Sequence, residues 1–328
     1  MASIRDVAKR ANVGATTVSR ALNGTGYVAK DTRIRIEKAI KELNYMPNEL
    51  ARNLFRNCTG IIGVLIPDLE NPFWGEMVRF IEDELYQSGY KTMVCCSTNI
   101  SNREKEYLDM LERNIVDGII VAAYTLEDDE FLRVNKPIVS LDRDFGEKIP
   151  LIHSDHKKGG RLAAEKLLEN GCRNIIQFCG RKNQKCRIIA EERHQEFARF
   201  IEENGANVWT LPEDWNNWSD FNQAMEGIEK IVAKYGELDG VFVTDHSAVC
   251  LSNVVRVKGI EVPRDVKIVS HDGMRITRMV NPQITAIVQD TKGLAEACVK
   301  TLMQLIQGKE VDYHQILDVT MQDGGTTY

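Results

Sequence analysis

Polar and aromatic side chains stand at, or a few residues beyond, the ends of several short apolar runs in this chain. They are Asn71, Phe73, Asp142, Thr244, Asp245 and Asp272. Carboxylates accept hydrogen bonds from hydroxyl groups and aromatic faces cover an apolar ring, so this set suits a polyhydroxylated ligand such as a sugar. The pair His271–Asp272 is as compatible with ligand binding as with acid–base work. The residue types therefore predict a ligand site and leave catalysis as an alternative.

Sequence signatures of catalysis are missing. The chain has no GxSxG, HExxH or P-loop motif, and the segment PDLENPFW after the first apolar run lacks a glycine-rich turn for a pyrophosphate. The pattern HSDH at residues 153–156 lacks further metal ligands nearby and fits a strand end followed by a helix start. We therefore predict ligand binding without turnover, in a protein that is not an enzyme and has no metal and no cofactor.

Strand-like and helix-like segments alternate from about residue 60 onward. Runs such as GIIGVLIPD, VDGIIVAA, DGVFVTD and VKIVSHD are separated by amphipathic segments such as FWGEMVRFIEDELYQSG. This alternation predicts an α/β fold with two lobes, each built on a parallel sheet. Ligands of open α/β sheets bind outside the carboxyl ends of the strands, which is where the polar residues stand.

The N-terminal segment has a helical pattern instead. The apolar residues that recur at helical spacing are Ile4, Val7, Ala8 and Ala11. After a break at residues 12–14, a second helix is expected over about residues 15–22. A third helix is expected in KDTRIRIEKAIKELN, with apolar positions at Ile34, Ala39, Ile40 and Leu43. The pattern predicts a three-helix unit that opens with a helix-turn-helix.

The second helix of a helix-turn-helix lies in the DNA major groove and presents its first residues to base edges. Ala15 and Thr16 hold those positions, and Arg20, one turn later, can bind a guanine through two hydrogen bonds. Hydroxyl groups suited to phosphate oxygens are those of Thr17, Ser19 and Thr32. A small helical bundle without a DNA role is the alternative.

The segment NYMPNELARNLFRN predicts a short helix that starts at Pro47. Leu50 and Leu54 share one side of it, and arginines flank them. Such a short helix is marginal in water, so we expect it to fold only against a partner. An exposed leucine can insert between base pairs from the minor groove and kink the duplex. A linker helix packed on the body is the alternative.

Charge and composition set broad limits. Residues 1–60 hold eleven Lys and Arg against five Asp and Glu, a net charge of +6, whereas the remaining residues hold 31 against 43, a net charge of −12. A basic module joined to an acidic body favours nucleic-acid binding by the first part.

With 328 residues, 43% of them hydrophobic, the chain can bury a sizeable core in two or three domains. No signal peptide or membrane-spanning run is present, so a cytoplasmic protein is expected, and its eight cysteines are expected to be reduced and mainly buried.

The sequence IRDVAKRANVGATTVSRALNG followed by NYMPNELARNL resembles the LacI/GalR family of bacterial transcription regulators, and the likeness extends over nearly the whole chain. The resemblance implies a homodimer that binds a roughly palindromic double-stranded operator, and a two-lobed core like the periplasmic sugar-binding proteins. It implies base reading by Ala15, Thr16 and Arg20 and insertion of Leu54. It also implies ligand-binding roles for Arg193 in ERHQEF and Trp215 in PEDWNNW. Three further residues are expected to contact DNA: Asn23, Asn48 and Ala51.

Some positions depart from the family pattern. Gly14 stands where serine is usual, Thr244 replaces a usual asparagine and Glu196 a usual glycine. The effector therefore cannot be copied from one relative: a saccharide is expected, with a purine or another metabolite as the alternative. Two other functions, less favoured, are a sugar-binding transport protein and an α/β enzyme. Arg193 could also pair with Glu192 or Glu196 and so be structural.

The expected organisation is a DNA-binding head over residues 1–46, a hinge helix and linker over 47–59, and a ligand-binding and dimerisation core over 60–328. Within the core, one lobe is expected from about 60–156 and 288–316, and the other from about 157–287 and 317–328. The C-terminal segment LDVTMQDGGTTY has no heptad pattern, so a dimer is expected rather than a tetramer.

Overall fold

The computed structural model describes residues 2–24, 26–46, 58–97, 103–123, 125–179, 186–212 and 238–327. The chain divides into a small unit, Met1–Thr59, and a large unit, Gly60–Tyr328. Most of the expected hinge segment lies outside the described residues, and so do four of the predicted site residues: Asn48, Ala51, Leu54 and Trp215.

The small unit contains three helices: α1 Ile4–Ala11, α2 Ala15–Asn23 and α3 Lys30–Glu42. Ser3 caps α1 by accepting from the Asp6 backbone N–H, while the Asp6 carboxylate accepts from the Ser3 backbone N–H. Gly14 caps α2 without a side-chain hydrogen bond. The predicted helix-turn-helix is therefore confirmed, with bounds close to those expected.

The core of the small unit is formed by one face of each helix. Its buried members are Val7, Ala8, Ala11, Val18, Ala21, Ile36 and Ala39. Among the apolar positions named for α3, Ile34 has a side chain that is 56% exposed, and Ile36 contributes to the core. The two isoleucines are two positions apart, which puts them on opposite sides of the helix.

Six strands form the first sheet of the large unit. They are β1 Ile61–Ile66, β2 Lys91–Cys96, β3 Gly118–Val121, β4 Ile138–Leu141, β6 Leu151–Ser154 and β13 His314–Leu317. Their order is β13-β6-β4-β3-β1-β2, and all pairings are parallel.

Six strands also form the second sheet. They are β7 Asn174–Cys179, β9 Asn207–Pro212, β10 Gly240–Thr244, β11 Lys267–Asp272, β12 Thr285–Gln289 and β14 Val319–Gln322. The order is β14-β12-β11-β10-β7-β9, and only β14 runs antiparallel to its neighbour. The two predicted parallel sheets are thus confirmed.

Helices cover both sheets. Those of the large unit are α4 Pro72–Gln87, α5 Arg103–Glu112, α6 Asp128–Leu132, α7 His156–Glu169, α8 Glu192–Glu203, α9 Asp245–Val257 and α10 Thr291–Ile306. Apolar clusters lie on both faces of each sheet, as expected of parallel strands buried between layers of helices. A two-stranded antiparallel ribbon, β5 Arg143–Asp144 with β8 Arg187–Ile188, joins the end of β4 to the segment before α8.

The chain passes between the sheets at three places, and each passage carries an aspartate. The side chains of Asp155, Asp290 and Asp318 accept hydrogen bonds from the backbone N–H of Lys158, Gly293 and Val319, respectively. The Asp155 N–H also donates to the Leu317 carbonyl at 2.7 Å. Side-chain capping thus fixes the backbone direction at each passage.

All eight cysteines are free thiols, as predicted, but only Cys95, Cys172 and Cys298 are buried; the others are half-buried. No helix among the described residues is long and apolar enough to cross a membrane. The described parts of the chain contain no group of three or more His, Cys, Asp and Glu side chains that could hold a metal ion.

Candidate functional site

Helix α2 presents a polar surface opposite the one that packs in the core. Ala15, Thr16 and Arg20 are exposed, whereas Val18 and Ala21 are buried. Thr16 and Arg20 are four residues apart, so their side chains are neighbours on the helix surface. The exposed side of α2 can therefore contact another molecule without disturbing the core.

The remaining predicted DNA contacts differ in their surroundings. Thr17 and Ser19 are half-buried on α2, and Thr32 is half-buried on α3, where its hydroxyl accepts from Arg35 at 3.3 Å. Asn23 is the last residue of α2.

Two aspartates stand at strand ends, one in each sheet, and both have an uncommon backbone conformation. Asp142 directly follows β4 with φ 61°, and Asp272 ends β11 with φ 120°. Positive φ is unfavourable for residues other than glycine, costing about 1 to 3 kcal/mol at each position, and such residues cluster at ligand sites. The backbone thus aims both carboxylates in directions that a regular strand end would not.

Asp142 is held by a histidine from the start of α7. His156 Nε2 lies 2.8 Å from Asp142 Oδ1, and His156 is 1% exposed. Burial pushes the pKa of Asp142 upward, but the contact with His156 outweighs it and leaves the pKa below its ordinary value. The Asp142 carbonyl also accepts from the Ile189 N–H at 2.8 Å, which ties β4 to the segment before α8. Asp142 is therefore an ionised carboxylate in a fixed orientation.

Asp272 is held in a similar way within the second sheet. Its Oδ1 accepts from Gln289 Nε2 at 2.8 Å and lies 3.1 Å from His271 Nδ1. Burial raises the pKa of Asp272 to about 6, with Arg193 and Gln289 acting in the opposite direction. This carboxylate is mostly ionised at neutral pH and gains a proton under mildly acidic conditions.

Arg193, on α8, has no ion-pair partner among the described residues. Glu192 instead lies 3.1 Å from Arg187, and Glu196 lies 2.6 Å from Arg161. The alternative that Arg193 pairs with either glutamate is therefore wrong. Its one protein hydrogen bond in the described structure runs from Nε to His194 Nε2, at 3.3 Å, so both Nη groups are unpaired. The Arg193 charge lowers the pKa of both Asp142 and Asp272, which places the three groups in one electrostatic neighbourhood.

The residues predicted near α4 have local structural contacts. Asn71 caps α4 by accepting from the Phe73 N–H at 3.0 Å. Phe73 is 4% exposed, and its ring meets Trp74 edge-on at 4.9 Å between ring centres. Little of the Phe73 ring is open to a ligand in this conformation.

The prediction that Asp245 contacts a ligand needs correction. Its Oδ1 accepts from Ser270 Oγ and its Oδ2 accepts from the Met274 N–H, both at 2.5 Å. Burial, reinforced by the charge of Asp272, raises the pKa of Asp245 well above its ordinary value. Both oxygens are thus used inside the protein. The preceding residue, Thr244, is 5% exposed at the end of β10.

Sequence reasoning missed two histidines that contact the site, His156 and His194, and noticed His271 only as the neighbour of Asp272. The pattern HSDH marked His156 as the start of a helix, which is confirmed, but nothing in that pattern indicated the contact with Asp142. That contact joins residues fourteen positions apart through the fold.

Both units of the chain are similar to known protein families. Residues 3–48 match the family described as bacterial regulatory proteins, lacI family, and residues 164–327 match the periplasmic binding protein-like domain. The ribose operon repressor of Halalkalibacterium halodurans is 35% identical over 316 residues, 96% of this chain and 93% of that protein. The sucrose operon repressor of Streptococcus mutans is 33% identical over 325 residues, 99% of each chain.

Among solved structures, the lac repressor dimer bound to operator and the anti-inducer ONPF is similar, with a TM-score of 0.85 at 27% identity over 99% of both chains. The matches span the helix-turn-helix and the two-sheet unit together. The chain therefore belongs to the lacI family of bacterial regulatory proteins.

Proposed function

We propose that this protein is a sequence-specific DNA-binding repressor whose operator affinity is controlled by a small ligand, a saccharide, bound between the two sheets of the large unit. The single observation that carries the ligand part is the Arg193 guanidinium, which has no ion-pair partner among the described residues and lowers the pKa of carboxylates from both sheets. The exposed polar side of α2 and the repressor relatives support the DNA part.

On DNA, α2 lies in the major groove. Ala15 and Thr16 meet base edges, and Arg20 binds a guanine. Thr17, Ser19, Asn23 and Thr32 contact the phosphate backbone, and the net charge of +6 on residues 1–60 supplies a salt-dependent attraction. The protein acts as a homodimer on a roughly palindromic operator, because paired helices read paired half-sites. Asn48, Ala51 and Leu54 belong to a hinge helix that contacts the minor groove.

The effector site uses the outer atoms of three charged groups. Asp142 and Asp272 each use Oδ1 within the protein, and the described structure gives Oδ2 of either residue no protein partner. A sugar offers adjacent hydroxyl groups, which can donate to these oxygens and accept from the Arg193 fork. Trp215 covers the ring face of the sugar. Asp245 has no role at this site, and Asn71 and Phe73 shape its edge.

The ligand acts by shifting a population. Asp142 follows a strand of the first sheet and Asp272 ends a strand of the second, so a ligand that bridges them favours one arrangement of the lobes. Operator binding favours an arrangement in which both hinge helices of a dimer reach the minor groove. The passages at Asp155, Asp290 and Asp318 separate the two lobes and are the pivots. The predicted boundaries at about 287/288 and 316/317 move to Asp290 and Asp318, because β12 ends at Gln289 and β13 at Leu317.

A thermal-shift screen tests the effector class. The panel contains D-ribose, sucrose and other neutral sugars, their phosphates, and purine bases. A ligand at about 100 times its Kd stabilises the native protein by about 2.7 kcal/mol, which raises Tm by several degrees. A shift with neutral sugars supports the proposal. A shift with purines alone contradicts the saccharide, and no change in operator binding on addition of the stabilising sugar contradicts ligand control.

Sedimentation equilibrium tests the assembly. We expect a dimer mass across the concentrations at which operator binding is measured. A stable tetramer, or a monomer that binds the full operator with unchanged affinity, contradicts the proposed dimer.

A further inference from the structure

Three of the six histidines each contact one charged side chain of the proposed effector site. The three contacts are His156 with Asp142, His271 with Asp272, and His194 with Arg193. In every case the histidine engages one polar atom and leaves the remaining charged atoms of its partner without a protein partner among the described residues.

We propose that His156, His194 and His271 are positioning residues of the effector site. Each imidazole turns one ring nitrogen to its partner and fixes the inner atoms of the carboxylates and the guanidinium, so that the outer atoms face the ligand. The ligand role of the three charged groups rests on the proposed function; the tautomers follow from the geometry alone.

All three histidines are buried, and burial sets the charge state of two of them. His156 is 1% exposed, His194 is 7% exposed and His271 is fully buried. Burial lowers the pKa of His194 and of His271 well below the ordinary value, with the Arg193 charge acting in the same direction. Both imidazoles are therefore neutral at physiological pH.

The partner atoms determine which ring nitrogen carries the proton. A carboxylate only accepts, so His156 donates from Nε2 to Asp142, and His271 donates from Nδ1 to Asp272. Arg193 only donates, so His194 must offer a lone pair at Nε2 and carry its proton at Nδ1. Nδ1 lies 3.1 Å from the side-chain oxygen Oε1 of Gln177, which accepts that proton. His156 is therefore the opposite tautomer of the other two.

The remaining ring atoms agree with this assignment. His156 Nδ1 and His271 Nε2 are buried atoms without a hydrogen-bond partner in the described structure. In the assigned tautomers both are lone pairs rather than N–H groups. An unpaired buried acceptor is tolerated more often than an unpaired buried N–H, so the opposite tautomers would be less favourable.

The histidines also connect the two sheets. The rings of His156 and His271 stack with centres 5.8 Å apart, so Asp142 and Asp272 are linked through two imidazoles. Close packing by α7 holds this arrangement. A Cβ at Gly159 would lie 3.0 Å from His271 Nε2, and one at Gly160 would lie 2.1 Å from the Arg193 carbonyl oxygen. Glycine is therefore required at Gly160 for α7 to approach α8 this closely.

The members of this cluster come from four elements. They are Asp142 after β4, His156 on α7, Arg193 and His194 on α8, and His271 and Asp272 on β11. Two further titratable groups lie next to it: His153 on β6, whose ring centre is 6.1 Å from that of His156, and Asp245 on α9, whose pKa is raised by the charge of Asp272. Protonation of His194 would remove the acceptor for Arg193 and place a second cation beside it.

The decisive experiment is long-range ¹H–¹⁵N NMR of the imidazole nitrogens in the full-length protein at pH 7.5, without added ligand. We expect His156 to be protonated at Nε2, and His194 and His271 at Nδ1. Asp142→Ala removes the acceptor of the His156 proton, so it should remove the tautomer preference of His156 and leave His194 unchanged. A wild-type spectrum with His156 protonated at Nδ1, or with rapid tautomer exchange at His156 and His271, would overturn the proposal.

A binding measurement adds the functional readout, with D-ribose and sucrose as probes. His156→Leu removes the donor and should weaken binding about tenfold, while His156→Gln keeps an N–H near the position of Nε2 and should restore most of it. His314→Gln is the matched control, because His314 is exposed and contacts His153 rather than a carboxylate. Equal binding by all three variants would overturn the positioning role. If no neutral sugar of the thermal-shift panel binds wild type, the saccharide proposal fails, while the imidazole spectra still decide the assignment.

Discussion

The two regions proposed to bind other molecules differ in how their polar groups are supported. On α2, the side chains of Thr16 and Arg20 point into solvent from a single helix. In the large unit, Asp142, Asp272 and Arg193 come from separate elements and are each held by a buried histidine. Exposed substitutions usually change stability by less than about 0.5 kcal/mol, whereas buried charges also belong to the packing. Specificity for DNA can therefore vary without cost to the fold, whereas ligand specificity is tied to it.

Arg193→Ala should have the largest effect on function, because it removes the guanidinium fork of the proposed effector site. We expect loss of the thermal shift and of the sugar effect on operator binding, with operator affinity near wild type. The free energy of unfolding should also decrease at neutral pH, because the Arg193 charge favours the ionised forms of Asp142 and Asp272. A thermal-shift titration measures sugar binding, and a DNA-release titration measures the effect of the sugar on operator binding.

Arg199→Ala is the matched control for this substitution. Arg199 lies on the same helix but pairs with Glu196 and Glu203 at the surface. It should leave the sugar response unchanged. If operator binding by the Arg193→Ala protein still responds normally to the sugar, Arg193 is not part of the effector site.

A pair of isoleucines on α3 tests the contrast between surface and interior within the small unit. Ile36 is 1% exposed and Ile34 is 56% exposed. Ile36→Ala should destabilise the unit by about 2 to 5 kcal/mol, and Ile34→Ala by less than about 0.5 kcal/mol. Urea unfolding followed by circular dichroism measures both. Equal losses would mean that the α3 face is assigned wrongly.

Asp272→Asn tests the cost of the buried charge. Burial raises the pKa of Asp272 to about 6 from 3.8, so the folded protein holds this proton more tightly than the unfolded chain. The stabilisation is present below about pH 4 and is lost as pH rises through about 6. The stability of wild type relative to Asp272→Asn should thus fall by roughly 2 to 3 kcal/mol between pH 4 and 7.

Urea unfolding at four pH values across this range measures the difference. Asp142→Asn serves as the control, since the pKa of Asp142 is below its ordinary value. Its contribution is present above the ordinary pKa and is lost only as pH falls through the depressed value. Parallel profiles for wild type and Asp272→Asn would show that the carboxylate does not titrate in this window.

The helix-turn-helix was predictable because its determinants are local. The spacing of Ile4, Val7, Ala8 and Ala11, and the break near Gly14, define α1 and the start of α2 within fifteen residues. Strands with β-branched runs, such as β1, β3, β10 and β11, were equally readable, whereas β9, β13 and β14 were not predicted. Within α3 the local signal was ambiguous, because Ile34 and Ile36 are both β-branched and only the packing of three helices decides which is buried.

The proposed effector site was only partly predictable. The rule that ligands bind at the ends of parallel strands selected Asp142 and Asp272, since both stand at the ends of apolar runs, and their ligand role stays a prediction. The same rule wrongly selected Asp245, whose partners Ser270 and Met274 lie on a neighbouring strand and the loop after it. The supporting histidines depend on contacts between distant segments, and no local pattern encodes those contacts.

Arg20→Ala should have the smallest effect and is the sharpest test of the exposed region. Arg20 extends from the solvent side of α2 with its stem near Gly26, so its removal leaves the core intact. Loss of a two-bond contact to guanine should cost about 1 to 3 kcal/mol per half-site and relax preference at one symmetric base pair. Lys38→Ala, on the exposed side of α3, is the control and should lower affinity for all sequences alike, if at all. Selection of operators from a random DNA library, followed by titration against single-base variants, separates the two effects. An Arg20→Ala protein with unchanged base preference would show that α2 does not read the groove through this residue, and the contrast between the two regions would then rest on the ligand site alone.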